Sequence, residues 1–207
     1  MTIRPGDQWG VVQEAPESTK WFRCEADLGH WMSIGQSAEE AGLTGGDLCV
    51  ITGSTQRTLF VPIDILEVRF QKEGSSTDER IIALSSVVLG SWWNKEALTA
   101  ISNTGLVRGV EWFARSHPND GVVEVAEISE QMSRRQKMMA RSRIMRGAAY
   151  AHPQISSTST TSWEWSGRPR RLEIDGRNLG RVVSVKLTLQ PDALRVYLGK
   201  PSTGAEG

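Results

Sequence analysis

Apolar residues in this chain fall mainly into short runs separated by turn residues, a pattern typical of β strands. From residue 47 onward the runs predict strands over 48–51, 59–70, 80–93, 105–113, 121–128, 154–165, 171–175, 182–189 and 194–198. Pro62 marks an edge strand or the start of a strand. Short turns separate several of them, namely Ser166-Gly167, Asp175-Gly176 and Pro191-Asp192. The pattern therefore predicts a mainly β (α+β) fold, an antiparallel β-sandwich.

One segment has helical rather than strand character. Ser129 is suited to cap a helix N-terminus and Gly147 to end a helix, which predicts one main amphipathic helix inserted at about 129–146. Its apolar stripe consists of Ile128, Met132 and Met139. Its basic stripe consists of Arg134, Lys137 and Arg141. The basic stripe is either an ordinary solvated face or a surface that attracts anionic lipid head groups or phosphate. A shorter helix is predicted over 37–41.

Composition narrows the class of protein. The 24 basic and 24 acidic residues cancel, so the net charge gives no reason to expect a nucleic-acid binder. Cys24 and Cys49 are too few for a disulfide scaffold or a zinc knuckle, and they favour a reducing compartment. The apolar runs are shorter than a membrane span or a signal peptide requires. We therefore expect a soluble cytoplasmic protein.

Tryptophan is unusually frequent. The chain has eight tryptophans against two tyrosines and four phenylalanines. Trp163 and Trp165 are two residues apart, which places them on the same face of a strand. These aromatic side chains are either core residues of a β domain or, for Trp92 and Trp93, the lining of an apolar ligand cleft.

A turn signal, Asn119-Asp120-Gly121, leads directly into an alternating strand pattern. Such a turn holds a carboxylate and several backbone carbonyls close together at the end of a sheet. Oxygen ligands of this kind suit a hard cation such as Mg²⁺ or Ca²⁺. The same residues also form ordinary hairpin turns without a ligand, so both interpretations remain open.

The common catalytic motifs are absent from the sequence: there is no nucleophile elbow, Walker-type loop, zinc-protease motif or dinucleotide fingerprint. The Gly-rich segment Thr44-Gly45-Gly46-Asp47 could contact a phosphate through backbone N–H groups, and it could equally form a plain turn.

The order of the turn motifs resembles the C-terminal half of the diacylglycerol kinase and sphingosine kinase family, including its bacterial soluble lipid kinases. The likeness covers residues 43–198. Its elements, in order, are Thr44-Gly45-Gly46-Asp47-Leu48, Pro62-Ile63-Asp64, Asn103-Thr104-Gly105, the segment from His117 to Val125, a basic helix, His152-Pro153, Ile174-Asp175-Gly176 and Pro191-Asp192-Ala193-Leu194.

This resemblance implies a β-sandwich lobe that receives a lipid, without the N-terminal nucleotide-binding lobe. Residues 1–42 are then an N-terminal extension packed on the main domain at 43–198, and 199–207 are a disordered tail. The family's Gly-Gly-Asp-Gly phosphate loop would lie upstream of Thr44, where no such motif occurs. The segment Thr44 to Asp47 is instead similar to the family's later Gly-Thr-Gly-Asn-Asp element.

Two site assignments follow from the resemblance. A structural Mg²⁺ would be held by the carboxylate of Asp120 and the backbone carbonyls of His117 and Val122. The family's general base, a Glu, has its place at Arg177, which stays protonated and cannot accept a proton. Asp175 is left as a remnant of the catalytic site. A stand-alone kinase reaction, with its own bound nucleotide, is therefore not expected.

The resulting functional hypothesis is a non-catalytic domain that binds a lipid, an acyl-bearing molecule or a partner protein. Its apolar cleft would be lined by Trp92, Trp93, Trp112 and Phe113. Head-group attraction would come from Arg134, Lys137 and Arg141, with peripheral contact to a membrane. The alternative is a lipid kinase lobe that is active only with a separate nucleotide-binding partner. The sandwich face left bare by the missing lobe would favour a homodimer or a partner protein.

Overall fold

The structure is a computed structural model that describes residues 9–38, 41–53, 58–146 and 152–199. The predicted mainly β architecture is confirmed within these ranges. The strands are β1 Val11–Val12, β2 Lys20–Phe22, β3 Ala41–Leu43, β4 Leu59–Lys72, β5 Asp78–Ala83, β6 Ser86–Leu89, β7 Leu98–Ser102, β8 Leu106–Val107, β9 Val110–Glu111, β10 Val123–Ile128, β11 Ile155–Thr160, β12 Ser162–Ile174 and β13 Arg177–Leu198. The helices are α1 Glu25–Ser33, α2 Asp47–Thr52 and α3 Arg134–Ile144. The predicted tail lies outside the described residues except for Gly199.

The sandwich forms because one long antiparallel sheet folds back on itself. Its strand order is β1-β4-β13-β12-β6-β7-β10-β11, and β5 pairs with the free side of β4. Only the last three residues of β12, from Leu172 to Ile174, pair with β6, so the sheet turns a corner there. Val68 and Val185 of one layer pack in the same buried cluster as Ile101 and Val125 of the other. Trp163 and Trp165 both pack against this cluster, as their spacing predicts.

The N-terminal residues add a parallel unit to one end of the sandwich. Strands β2 and β3 pair in parallel with α1 between them, and β3 also pairs in parallel with the end of β13. Leu28 of α1, Leu43 of β3 and Leu48 of α2 are fully buried together in a second core. Strand β2, helix α1 and strand β3 therefore form a β-α-β unit, and the end of β13 is the next strand beside β3.

Several local predictions were wrong. The turns predicted at Ser166-Gly167 and Pro191-Asp192 are irregularities within β12 and β13, which continue through them. Residues 48–51 belong to helix α2, because Gly46 (φ 96°) begins a turn before them and Gly53 (φ 59°) ends the helix after them. Four apolar residues in a row do not distinguish a helix from a strand. Of the helix predicted over 37–41, Ser37 and Ala38 are not helical and Ala41 begins β3, while residues 39 and 40 lie outside the described residues. The predicted strand over 80–93 is broken after Ala83 and again after Leu89.

Helix α3 begins five residues later than Ser129 predicts. Ser133 and Gln136 form a capping box, in which the Ser133 hydroxyl accepts the N–H of Gln136 and the Gln136 side chain accepts the N–H of Ser133. The predicted apolar stripe is divided: Ile128 lies in β10, Met132 is buried just before the helix, and Met139 is 48% exposed. Gly147, the predicted stop signal, lies outside the described residues.

A buried carboxylate joins two of the turn motifs. Asp64 of β4 is 1% exposed, and its two oxygens accept the N–H groups of Gly121 and Asp192, each at 2.8 Å. The side chain of Asn119 donates to Asp192 at 2.8 Å. Asp192 has a positive φ of 52° and lies at the bulge where β13 loses register with β4. Asp64 therefore fixes the Asn-Asp-Gly loop against this bulge.

We predict that Asp64→Ala destabilises the protein by about 2–4 kcal/mol, because it removes the acceptor of two partly buried backbone N–H groups that join the loop to the β13 bulge. Asp64→Asn keeps one carbonyl acceptor and is expected to lose about half as much. Chemical denaturation measures both values. Asp78→Ala, an exposed change on β5, is the control and should stay within about 0.5 kcal/mol of the parent. An Asp64→Ala protein as stable as this control would contradict the assigned role.

Candidate functional site

A cavity of about 280 Å³ lies between the loop after β6, the β8–β9 hairpin and α3. Trp92 and Trp112 form one wall, with ring centroids 5.5 Å apart, and both rings pack against the small core of Leu98, Ile128 and Met132. The remaining apolar lining residues are Val88, Val107, Val110, Ile144 and Met145. Trp93 lies at the same cavity and is 63% exposed.

Three of the four predicted aromatic side chains therefore meet at one cavity. Trp92 and Trp93 lie in the loop after β6, Trp112 directly follows β9, and all three line the cavity. Phe113 contacts Trp112 at a centroid distance of 6.4 Å and is not part of the lining.

The polar part of the lining is positively charged. Arg108 forms a bidentate ion pair with Glu173, which is 4% exposed. Arg171 donates to Asn178 at 3.0 Å, and Arg141 lies over the Trp93 ring at 5.7 Å from its centroid. The lining thus has three guanidinium groups and one carboxylate, and that carboxylate is already paired with Arg108. The cavity is suited to a ligand with an apolar body and a negative charge.

The predicted basic stripe of α3 requires a correction. Lys137 is fully buried, and its ammonium group donates to the backbone carbonyls of Asn94 and Glu96. Burial lowers the pKa of Lys137. This side chain fastens α3 to the loop before β7 instead of facing a head group. Arg141 lines the cavity, and Arg134 is exposed at the start of the helix.

Hydrogen bonds of the Asp120 carboxylate and the His117 carbonyl hold the Asn119-Asp120-Gly121 loop together. The carboxylate of Asp120 accepts the N–H groups of His117 and Val122, both at 3.1 Å, while the His117 carbonyl accepts the N–H of Asp120 at 3.2 Å. Burial raises the pKa of Asp120, and the charges of Asp64 and Glu124 raise it further.

The donor set of this loop is compatible with the predicted cation. Oxygen atoms of Asp120 and of two carbonyls are ligands that Mg²⁺ accepts. The side-chain oxygen of Asn119 is buried with no hydrogen-bond partner. Within the described ranges no three His, Cys, Asp or Glu side chains converge as a metal site, so any cation here would depend on backbone carbonyls.

The Asp175-Gly176 segment is the predicted hairpin turn. Both residues have positive φ angles, 47° and 81°, and they connect the paired residues Ile174 and Arg177. The Asp175 carboxylate does not face solvent, since it accepts the N–H groups of Leu84, Ser85 and Ser86 at 2.8 to 2.9 Å. These contacts explain why the strand predicted over 80–93 is interrupted.

Two further carboxylates surround this contact. Asp47, the first residue of α2, accepts the Ser85 hydroxyl at 2.6 Å and the N–H of Gly109 at 2.8 Å. Glu25 of α1 is 4% exposed and accepts the N–H of Leu48 at 2.8 Å. A methyl group on Gly46 would collide with the Glu25 carboxylate, so this position accommodates only glycine. The Gly-rich segment thus lies against a buried acid.

The proximity of these acids changes their protonation. Burial raises the pKa of Glu25 to about 8, and the charge of Asp175 contributes to the rise. Burial raises the pKa of Asp175 to about 6, although its three N–H donors oppose the shift. The folded protein therefore retains protons that the unfolded chain releases.

Several residues of this region were not anticipated from the sequence. Glu25 is 22 residues before Asp47 and belongs to no turn motif. Arg108 and Glu173 are 65 residues apart and meet only in the folded chain. One signal was present: Glu173 lies between two apolar residues in a strand, where a buried charge requires a partner.

We predict that stability falls as pH rises from about 6 to about 8, by up to about 1.4 kcal/mol per pH unit from Glu25, and that it falls more steeply below pH 6, where Asp175 also titrates. A carboxyl with a raised folded pKa favours folding below its unfolded pKa and loses that contribution as pH rises through the folded pKa. Glu25→Gln retains an acceptor for Leu48 and should remove most of the slope between pH 6 and 8. Urea denaturation across this range measures it. Glu17→Gln, an exposed change, should leave the slope intact, and an unchanged slope in Glu25→Gln would contradict the assignment.

Comparison with known proteins gives similarity of fold only. No protein-family model matches the sequence, and no curated protein matches it. Among solved structures, the chain is similar to a diacylglycerol kinase from Bacillus anthracis str. Sterne, with a TM-score of 0.48 and 11% identity over 66% of this chain and 53% of that chain. It is also similar to yeast NADH kinase complexed with NADH, with a TM-score of 0.48 and 11% identity over 85% of this chain and 59% of that chain.

These similarities concern the course of the backbone, and they assign no activity. The chain spans between half and three fifths of the length of those structures. No described helix has the length and hydropathy of a membrane-spanning segment.

Proposed function

We propose that this chain is a non-catalytic, lipid-kinase-like domain that binds a lipid or another acyl-bearing molecule in the cavity beside Trp92 and Trp112. The observation that carries the proposal is the cavity itself: aromatic and aliphatic side chains from three separate segments meet around about 280 Å³ of space. A cavity with apolar walls and a few charged groups at its edge is the usual form of a small-molecule site.

The size and charge of the cavity limit the ligand class. Sites for drug-sized ligands have volumes of roughly 300 to 1,000 Å³, so about 280 Å³ accommodates one acyl chain of moderate length rather than two. Arg141 and Arg171 carry charges that no carboxylate in the lining neutralises, because Glu173 pairs with Arg108. The proposed ligand is therefore a single-chain amphiphile with a carboxylate or phosphate head group.

The absence of catalysis is part of this proposal and has support in the hairpin between β12 and β13. Arg177, where the resembled family has its general base, is exposed and cannot take up a proton. The Asp175 carboxylate beside it is held by three backbone N–H groups, so it is poorly placed to accept a proton from a substrate hydroxyl.

A second candidate function is a kinase lobe that acts with a separate nucleotide-binding partner. One observation favours it: the Gly-rich segment from Thr44 to Asp47 lies between strand β3 and helix α2, next to the carboxylates of Glu25 and Asp175. ATP-dependent phosphoryl transfer to a lipid hydroxyl in the presence of a co-purifying protein would support this function. Phosphoryl transfer that persists in Asp47→Asn would show that the Gly-rich segment takes no part in the reaction.

We predict that dansyl-labelled undecanoic acid binds with a Kd of about 1–10 μM and that unlabelled lauric acid displaces it. Val107→Phe fills the cavity with a larger ring and should weaken binding at least about tenfold. Dansyl fluorescence measures the affinity. Val12→Phe, at an exposed position of β1, is the matched control and should bind as the parent does. Equal affinity in the two variants would refute the assignment of the cavity.

We further propose that Mg²⁺ or Ca²⁺ binds at the Asp120 carboxylate with the carbonyls of His117 and Val122. The cation would supply local positive charge and rigidity rather than chemistry. We predict that Mg²⁺ at about 100 times its Kd stabilises the parent by about 2.7 kcal/mol. Asp120→Asn keeps an acceptor for one of the two N–H groups and should abolish this response, while the exposed Asp78→Asn should keep it. Thermal denaturation measures the response. If neither Mg²⁺ nor Ca²⁺ raises the unfolding midpoint of the parent protein, the proposed site is refuted.

A further inference from the structure

The outer surface of α3 combines charge and apolar area in an unusual way. Four methionine and tryptophan side chains are exposed there, with exposed fractions of 63% for Trp93, 37% for Met138, 48% for Met139 and 52% for Met145. Exposed arginines lie among them, namely Arg134, Arg135, Arg143 and Arg146. We define this set of eight residues as the α3 surface.

The charge of the α3 surface is of one sign. Between residues 131 and 163 the sequence has six basic residues and no acidic residue, although the net charge of the whole chain is zero. Lys137 is buried in backbone hydrogen bonds, so the arginines alone provide the exposed charge. A local positive surface on a neutral protein indicates a specific anionic partner rather than general attraction to polyanions.

We propose that the α3 surface docks this protein on an anionic lipid bilayer. Arginine attracts the phosphates of lipid head groups, while tryptophan and methionine side chains enter the boundary between head groups and acyl chains. Methionine suits such a disordered environment because its side chain is flexible and polarisable. Helix α3 has 11 residues and a length of roughly 16 Å, which is too short to cross a bilayer, and the proposed docking places it in the plane of the interface.

The anchoring of α3 is compatible with docking through its outer face. Only Lys137 and Ala140 of its residues are buried, and Lys137 fastens it to the loop that also carries Trp92 and Trp93. The helix and this loop therefore present one continuous surface. A nucleic acid would also be attracted by the arginines, but it offers no apolar phase to cover the three methionines, so we favour the bilayer.

The α3 surface also borders the cavity. Trp93 and Met145 belong to both, and Arg141 lies at the same edge, over the Trp93 ring. A docked protein would thus turn the cavity edge toward the bilayer, and a single-chain amphiphile could move from the membrane into the cavity. This last step rests on the proposed ligand, whereas docking itself does not.

The test uses the full chain without added ligand. The fraction of protein that sediments with vesicles is measured for two compositions. One is phosphatidylcholine mixed with phosphatidylglycerol, and the other is phosphatidylcholine alone. The parent should bind the anionic vesicles and not the neutral ones. Arg135→Glu with Arg143→Glu should lower the apparent partition coefficient at least about tenfold. The double variant Arg177→Glu with Arg195→Glu makes the same charge change at exposed positions of β13 and should bind as the parent does.

A second measurement tests the apolar part and does not depend on a charge change. Vesicles with brominated acyl chains should quench tryptophan fluorescence, and Trp93→Phe should lose part of that quenching. At high salt, where the attraction between arginine and lipid phosphate is screened, Met139→Ser should bind the anionic vesicles more weakly than the parent. Because these side chains are exposed, unfolding midpoints should stay near that of the parent.

The outcomes separate docking from ligand binding. Val107→Phe should bind vesicles as well as the parent while failing to bind the fatty-acid probe, so either proposal can fail alone. Equal binding to neutral and anionic vesicles, an equal loss in the β13 control, or binding of duplex DNA without binding of vesicles would overturn the docking proposal.

Discussion

Three N–H groups from Leu84, Ser85 and Ser86 converge on the Asp175 carboxylate, and most of the architecture depends on this contact. It ends β5, begins β6 and fixes the hairpin between β12 and β13 at the corner where the sheet folds over. A buried carboxylate that satisfies three backbone donors replaces the hydrogen bonds that the interrupted strand gives up. Through the Ser85 hydroxyl the contact extends to Asp47, so α2 is joined to the sandwich at the same point.

Local sequence signals anticipated the sandwich because its long strands and tight turns are locally encoded. The apolar run over 59–70 and the Asp175-Gly176 turn correspond closely to β4 and to the hairpin after β12. The N-terminal unit was less predictable. Strands β2 and β3 have three residues each, and they exist because they pair in parallel with each other and with residues near the end of the chain. Such pairing leaves no periodic pattern in so short a segment.

The candidate site was predictable in its aromatic part and not in its charged part. Trp92, Trp93 and Trp112 are conspicuous in any sequence, and the fold brings them to one cavity. Helical spacing predicts that Arg134, Lys137 and Arg141 form a stripe. It does not reveal which side of α3 faces the protein. The fold turns Lys137 inward, where two carbonyls receive its ammonium group. Likewise, the pairing of Arg108 with Glu173 depends on a tertiary contact that spacing cannot encode.

Strand β13 has 22 residues, and its length has a consequence for the order of folding. Its first half pairs with β12 within the sandwich, while its final residues, Val196 to Leu198, lie between β4 and β3. The N-terminal β-α-β unit therefore lacks its neighbouring strand until residues 196–198 have left the ribosome. Contacts that join residue 41 to residue 196 close a very long loop, and such contacts form late. During synthesis β2 and β3 therefore remain an unfinished sheet edge, which exposes them to aggregation or chaperone binding.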